Sequence, residues 1–503
     1  SQHRECDGSG EVAVCGACLP GYHEDGGACV EDGVEIELSV QTPADAHGMV
    51  ELSFSIADPL SRPADAVVYF RVGGGELEPA SPPLSGTSPL TGLSTSPQGT
   101  QHAFTWATVA DLGKGSWQSV RVSVEVTSPI SASAESGPFA VVNGTFLRAR
   151  SLLEDGQARD AVFSDVDADG DLDLAVACVG QSRLLLNDGG GQYGAAPDGC
   201  FPSLEGEVFS VAAGDLDGDA DPDLVFAVGR QASAPARNRV FINRGDGCFD
   251  DATETVFPDV ADQSEKVVLV DIDGDGDLDI WVVNSGSQQD RLHRNDGGVF
   301  ADITGSALPA ETLMGADGAA VDLDGEGDQD LVFVNFITSQ GVHLLRNADG
   351  SFADVTDSWL PGGQPSQMLM GVSSLDADGD DDLDLYLVDS LAQDVLLIND
   401  GSGVLQPGGS LPSDVGIGGW KAAALDVDLD GDQDVFVVTT SAADILLLND
   451  SQALFGKADA AIFSGGATAA RNVAVGDADG DGDPDLFVAV EGDPSILWIN
   501  AEQ

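Results

Sequence analysis

The nonapeptide Asp165-Val-Asp-Ala-Asp-Gly-Asp-Leu-Asp173 places a carboxylate at every odd position and a glycine at position six. Six further copies follow. The acidic side chains at the odd positions are Asp165, Asp167, Asp169, Asp171 and Asp173; Asp215, Asp217, Asp219, Asp221 and Asp223; Asp271, Asp273, Asp275, Asp277 and Asp279; Asp322, Asp324, Glu326, Asp328 and Asp330; Asp376, Asp378, Asp380, Asp382 and Asp384; Asp426, Asp428, Asp430, Asp432 and Asp434; Asp477, Asp479, Asp481, Asp483 and Asp485. Alternating carboxylates that turn on a glycine make a compact set of hard oxygen ligands, the donor type that suits Ca²⁺. An EF-hand would also need a bidentate Glu at position twelve. Here that position holds Val176, Phe226, Val282, Phe333, Leu387, Val437 and Val488, all apolar, so the ligand set must close at position nine. Without a cation, such clustered carboxylates would repel one another strongly. About seven structural Ca²⁺ sites are therefore expected. Position six is Ala220 in the second copy and Asp381 in the fifth, where a left-handed backbone is least comfortable for Ala. The Ala220 loop is thus the expected weakest site.

The elements that carry these loops repeat with them. The first Asp recurs at intervals of 50, 56, 51, 54, 50 and 51 residues, a period that signals an array or a propeller. One apolar run enters each loop (Lys266–Val270), a second leaves it (Leu278–Val283), and a third ends in Asn (Val240–Asn243, Leu396–Asn399). After a Gly/Asp turn, an aromatic or apolar residue such as Phe249 or Phe300 starts a fourth run. Four short strands joined by hairpins make one blade. The seventh repeat ends at Asn500-Ala-Glu-Gln503 and lacks its fourth strand, whereas the matching pattern, Asn143-Gly-Thr-Phe146, precedes the first repeat. Residues 144–150 are therefore expected to complete the seventh blade and close a ring, which removes open sheet edges.

These repeats resemble the FG-GAP and VCBS repeats of the integrin α-subunit propeller, over residues 144–503. The resemblance implies side-chain ligands at positions one, three, five and nine and a backbone carbonyl at position seven. The expected fold is all-β: a seven-bladed β-propeller over 143–503, preceded by a β-sandwich over 33–142 and a small disulfide-rich module over 1–32. The sandwich rests on alternating runs such as Val50–Ile56 and Val120–Val126. Together with Phe104-Thr-Trp106 and Phe139–Asn143, they resemble an immunoglobulin or fibronectin type III-like module, read as a spacer. Glu78–Thr100 reads as a long connection within it. The first 32 residues are too few to bury a core. Their Cys6, Cys15, Cys18 and Cys29 resemble a truncated EGF-like module, which implies the pairs Cys6–Cys15 and Cys18–Cys29; a zinc site is the competing reading. Cys178 and Cys200 are expected at one rim of the first blade and are paired, which leaves Cys248 over.

Net charge is −66, and 35 of the 86 acidic side chains occupy the odd loop positions. No basic stripe exists to meet phosphates or anionic lipid, which argues against nucleic acid or membrane-surface partners. No apolar run is long enough to cross a membrane as a helix. The Ser1 start suggests a mature, exported product. The expected protein is secreted and extracellular, at a bacterial cell surface. Its expected role is adhesion, binding of a protein or glycan, or self-assembly of copies into a fibre or layer. An extracellular polysaccharide lyase or hydrolase is the alternative, although the six histidines form no ligand spacing and no catalytic residue stands out. Arg244-Gly-Asp246 occupies the turn that other repeats build with Asn-Asp-Gly, so it reads as a turn. Asn449-Asp-Ser451 is a weak glycosylation sequon.

Overall fold

A computed structural model describes residues 151–500 except 154, 231–233, 311, 338–340, 364–367, 410, 413–414, 416–417, 429–430, 441–442, 450–451 and 459–468. Before 151 it describes the side chains of 53–72, 77–80, 90–104, 106, 120–128 and 131–136, and otherwise only the backbone of strands. The chain divides into two compact units, Ser1–Thr145 (with Glu502–Gln503) and Phe146–Ala501.

In the first unit, Arg4–Asp7 pairs with Val14–Cys18 and Tyr22–Asp25 with Ala28–Glu31. The backbone register sets Cys6 opposite Cys15. The side chains of Cys6, Cys15, Cys18 and Cys29 lie outside the described residues, and so does their expected pairing. Two sheets follow. Met49–Ala57 lies between Glu35–Gln41 and Thr100–Ala107 in one; Gly115–Ser128 pairs with Ala64–Val72, Ala132–Glu135 and Phe139–Asn143 in the other. Alternate residues of both sheets form one core, in which Phe54, Trp106, Phe70, Val122 and Val124 are buried, because strand side chains alternate between faces. Within Glu78–Thr100, expected as a plain connection, Glu78–Pro79 and Leu90–Leu93 add edge strands to Ala64–Val72.

The second unit is built from repeats of four antiparallel strands. In the third repeat these are Ser264–Val270, Asp279–Asn284, Arg291–Asn295 and Phe300–Asp302. Every residue of the second strand is buried, because both faces of its sheet are covered by neighbouring sheets. This explains the unbroken apolar runs where a half-wet strand would alternate. Among the described residues, seven apolar clusters fill seven seams, each shared by consecutive repeats. One of them joins Val176 and Leu185 of the first repeat to Phe487 and Ile499 of the last. The innermost strands contact one another in the same cyclic order. Phe146–Leu153 pairs with Ser495–Asn500 and supplies the last repeat's fourth strand, running three residues beyond the expected 150. The fold is all-β and propeller-like.

Candidate metal centres

Each nonapeptide lies between the first and second strands of its repeat, and the six copies that are fully described turn twice through the left-handed region. Position six has φ of +97° at Gly170, +95° at Gly276, +75° at Ala220 and +71° at Asp381. Position four does the same, at Ala168 (+57°) and Gly274 (+71°). This second requirement was not foreseen, although glycine at position four in five of the seven copies signals it.

The odd positions divide into distinct roles. Position one caps the turn: in the third loop, Asp271 accepts the N–H groups of Gly274 (2.8 Å) and Gly276 (3.0 Å). Position five caps position seven, as Asp275 accepts the Asp277 N–H at 3.0 Å. Position-seven side chains lie against the next hairpin: Asp277 accepts the Gly297 N–H at 3.0 Å. Position nine is the first residue of the second strand and is buried in every copy. Its two oxygens bridge the blade. Asp279 accepts from Ile272 at 3.0 Å, within its own loop, and from Asn295 at 2.6 Å, at the end of the third strand. Burial pushes the carboxyls up to about 6 for Asp173, Asp279, Asp330 and Asp384 and to about 7 for Asp223, Asp434 and Asp485, against the lowering effect of those N–H bonds.

Carboxylate oxygens from positions one, three and nine converge within 4.8 Å of one another in five loops: Asp165/Asp167/Asp173, Asp215/Asp217/Asp223, Asp271/Asp273/Asp279, Asp322/Asp324/Asp330 and Asp376/Asp378/Asp384. Positions five and seven fall outside these triads, and Asp430 lies outside the described residues. One position-three oxygen is buried without a hydrogen-bond partner in Asp167, Asp378 and Asp479. A buried acceptor left unsatisfied beside two more carboxylates is what a bound cation would answer, so the residues fit Ca²⁺ or a similar hard ion. The fourth loop differs. Arg346 reaches into it and contacts Asp324 at 2.5 Å and Glu326 at 2.6 Å, so a guanidinium already answers two of its expected ligands.

The asparagine that ends each third strand was visible in the sequence, but its task was not. Asn295 Nδ2 donates to Leu216 O of the preceding repeat's loop at 2.8 Å and to Leu278 O of its own at 3.1 Å. The same link runs from Asn243 to Val166 O, Asn347 to Ile272 O, Asn399 to Leu323 O, Asn449 to Ala377 O and Asn500 to Val427 O. Asn187 donates to Ala478 O and so ties the first repeat to the last. Each candidate metal loop is thereby fastened to the next blade. Asn449 is buried by this bond, which removes it as a glycan acceptor in the folded chain.

The expected Cys178–Cys200 bridge is corrected. Cys200 is joined to Cys248, and Cys178 is free and buried. Cys178 faces the seam between the last and first repeats, where burial raises its thiol to about 12. The connection that carries Cys200 instead runs over the second repeat's outer hairpin, where Phe249 N–H donates to Cys200 O at 2.7 Å. Arg244 of the Arg-Gly-Asp turn is paired with Asp250 on the same hairpin, and Gly245 has φ +77°.

The geometry describes a cyclic array of four-stranded repeats, each with an acidic loop fit for a hard cation. A family model for the FG-GAP-like repeat matches residues 165–226, 222–282, 271–333, 322–387 and 426–488, more than half of the chain. The chain belongs to the FG-GAP-like repeat family. No curated protein matches it.

Proposed function

We propose that this chain is an extracellular binding or adhesion protein: a seven-bladed propeller braced by about seven Ca²⁺ ions, with the N-terminal modules as its stalk. The observation that carries the reading is the carboxylate triad at positions one, three and nine, repeated at the same strand-to-strand turn around the ring. A cation there links the start of the loop to the buried head of the second strand, and the asparagine bond passes that constraint to the next blade. Metal binding then appears as folding stability. FG-GAP-like repeats are typically non-enzymatic, which supports binding over polysaccharide cleavage. The Cys200–Cys248 bridge fits an oxidising compartment. No helix among the described residues is long and apolar enough to cross a membrane. The partner is a protein or glycan at the cell surface, or another copy of the chain.

Calorimetric titration of metal-stripped protein should show Ca²⁺ uptake at several sites per chain with a rising melting temperature. Binding to cells or self-association, measured with and without chelator, should require the metal. Absence of Ca²⁺ uptake would refute the brace, and chelator-insensitive attachment would refute its part in adhesion.

A further inference from the structure

In the second repeat, the hairpin between the third strand, Arg239–Asn243, and the fourth, Phe249–Asp251, rests on the metal loop of the first repeat. Asn243 Nδ2 donates to Val166 O of that loop at 2.8 Å. Gly247 is seated so closely that a β-carbon there would stand 2.8 Å from Asp167 Cβ. The same seat recurs with Gly298 on Asp217 (3.1 Å), Gly350 on Asp273 (3.3 Å) and Gly191 on Asp479 (3.3 Å). In the sixth repeat, the Ala453 N–H donates to Ala377 O of the fifth loop at 2.8 Å. Asp167 is the position-three member of the first triad, and its Oδ1 is buried without a hydrogen-bond partner. The following blade therefore backs the carboxylate on which cation capture depends.

One hairpin of this set is also held covalently. Cys248 directly follows Gly247 and is joined to Cys200, on the connection that leaves the first repeat. Phe249 N–H donates to Cys200 O at 2.7 Å, and Arg244 N–H closes the turn on Cys248 O at 2.9 Å. Phe201, beside Cys200, packs edge-on against Phe226, Phe241 and Phe249, so the connection is itself anchored in the seam. The positions that match Cys248 hold Gln192, Val299, Ser351, Val404 and Leu454, none of them a cysteine.

We propose that the Cys200–Cys248 bridge is a positioning element for the first metal loop: it holds Gly247 against Asp167 and so sets the Ca²⁺ affinity of that one site. Ca²⁺–oxygen distances span only about 2.3–2.6 Å, so slight relaxation of the hairpin is enough to loosen the ligand. The link is reciprocal: the factor by which the bridge tightens Ca²⁺ is the factor by which Ca²⁺ favours the bridged form. A dithiol opens the bridge by giving up two electrons and two protons, closing to its own disulfide and leaving two thiols. This deepens the proposed metal brace and rests on it.

The test is calorimetric Ca²⁺ titration of the full-length protein, its Asp167→Asn variant, the Cys200→Ser/Cys248→Ser variant and the combination of all three changes. Asp167→Asn should remove or cripple one site and so identify the first loop. The bridge variant should weaken that site at least threefold and leave the others unchanged, and in the Asp167→Asn background loss of the bridge should change Ca²⁺ uptake no further. A bridge that restrains only the unfolded chain would lower the melting temperature on removal without touching native Ca²⁺ affinity, and that result overturns the proposal. Weakening spread over all sites, or persisting undiminished beside Asp167→Asn, overturns it too. A second measurement needs no cysteine variant: parent protein is equilibrated in a dithiothreitol redox buffer with and without Ca²⁺, and Cys200 and Cys248 are alkylated and counted by peptide mass spectrometry. Ca²⁺ should shift the parent toward the bridged form by at least threefold and Asp167→Asn by less; equal shifts in both, or none, refute the link. Ca²⁺ uptake by the parent with an indifferent bridge leaves the metal brace standing, whereas no uptake by the parent overturns both.

Discussion

Replacing Asn295 by Ala isolates the bond that passes constraint from blade to blade. Asn295 is buried and sits in three side-chain hydrogen bonds: to Leu216 O (2.8 Å), to Leu278 O (3.1 Å) and from Gly298 N–H (2.8 Å). Alanine leaves two carbonyls and one N–H without partners beside a seam too tightly packed for easy water entry. At about 1 kcal/mol net per bond, the loss is about 3 kcal/mol, and more if the orphaned groups stay dry. For a cooperative unit spanning Phe146–Ala501, this corresponds to a melting shift of about 4 °C. Urea unfolding at saturating Ca²⁺ should show a lower midpoint with an unchanged slope. Asn187→Ala removes the equivalent bond to Ala478 O, which joins the first and last repeats. In a closed ring every seam is equivalent, so the two losses should be similar. A change below about 0.5 kcal/mol for Asn295→Ala would refute the fastening role, and a silent Asn187→Ala beside a costly Asn295→Ala would refute ring closure.

Removing Arg346 (Arg346→Gln) frees Asp324 and Glu326, so Ca²⁺ affinity at the fourth loop should rise severalfold in a titration that resolves the sites; unchanged affinity would show that the guanidinium does not compete. Asp394 accepts the Asp389 N–H at 2.8 Å and the Tyr386 hydroxyl at 2.7 Å, and burial raises it to about 7. A folded-state value above the unfolded one means stability present near pH 4 is lost as pH rises through about 7. Asn238 caps its strand from the equivalent position at 2.8 Å without a charge. Asp394→Asn should therefore match the parent near pH 4 and exceed it at pH 8, by at most about 4 kcal/mol, in melts across that range; equal pH profiles would contradict this. Breaking the Cys200–Cys248 bridge with Cys248→Ser should cost about 2–4 kcal/mol for a loop of this length, whereas Cys178→Ala should cost only its packing, and thiol counting under denaturing conditions should find Cys178 reduced.

The seven loops, their period and the displaced final strand were legible in the chain, because each depends on local spacing. Apolar runs that enter and leave a loop define strands without reference to any neighbour. The apolar position twelve excludes an EF-hand in the same way. The shared core of the N-terminal sheets was legible for the same reason, since alternation alone says which face is dry. The edge strands inside Glu78–Thr100 were not, because pairing with Ala64–Val72 overrides a loop-like composition.

What spacing could not supply was anything carried between repeats. Which cysteine meets Cys200 depends on the path of a connection over the next blade, and that path leaves no periodic trace. The asparagine links cross more than 70 residues of chain and appear only when the loops are stacked. The cavity at the ring centre takes one residue from each repeat, and those residues share a position but no chemistry: Arg, Phe, Glu, Ala, Met, Trp and Arg. Local carboxylate geometry decided where a cation could be held. Only closure of the ring decided what lines its centre, because seven distant positions become neighbours there.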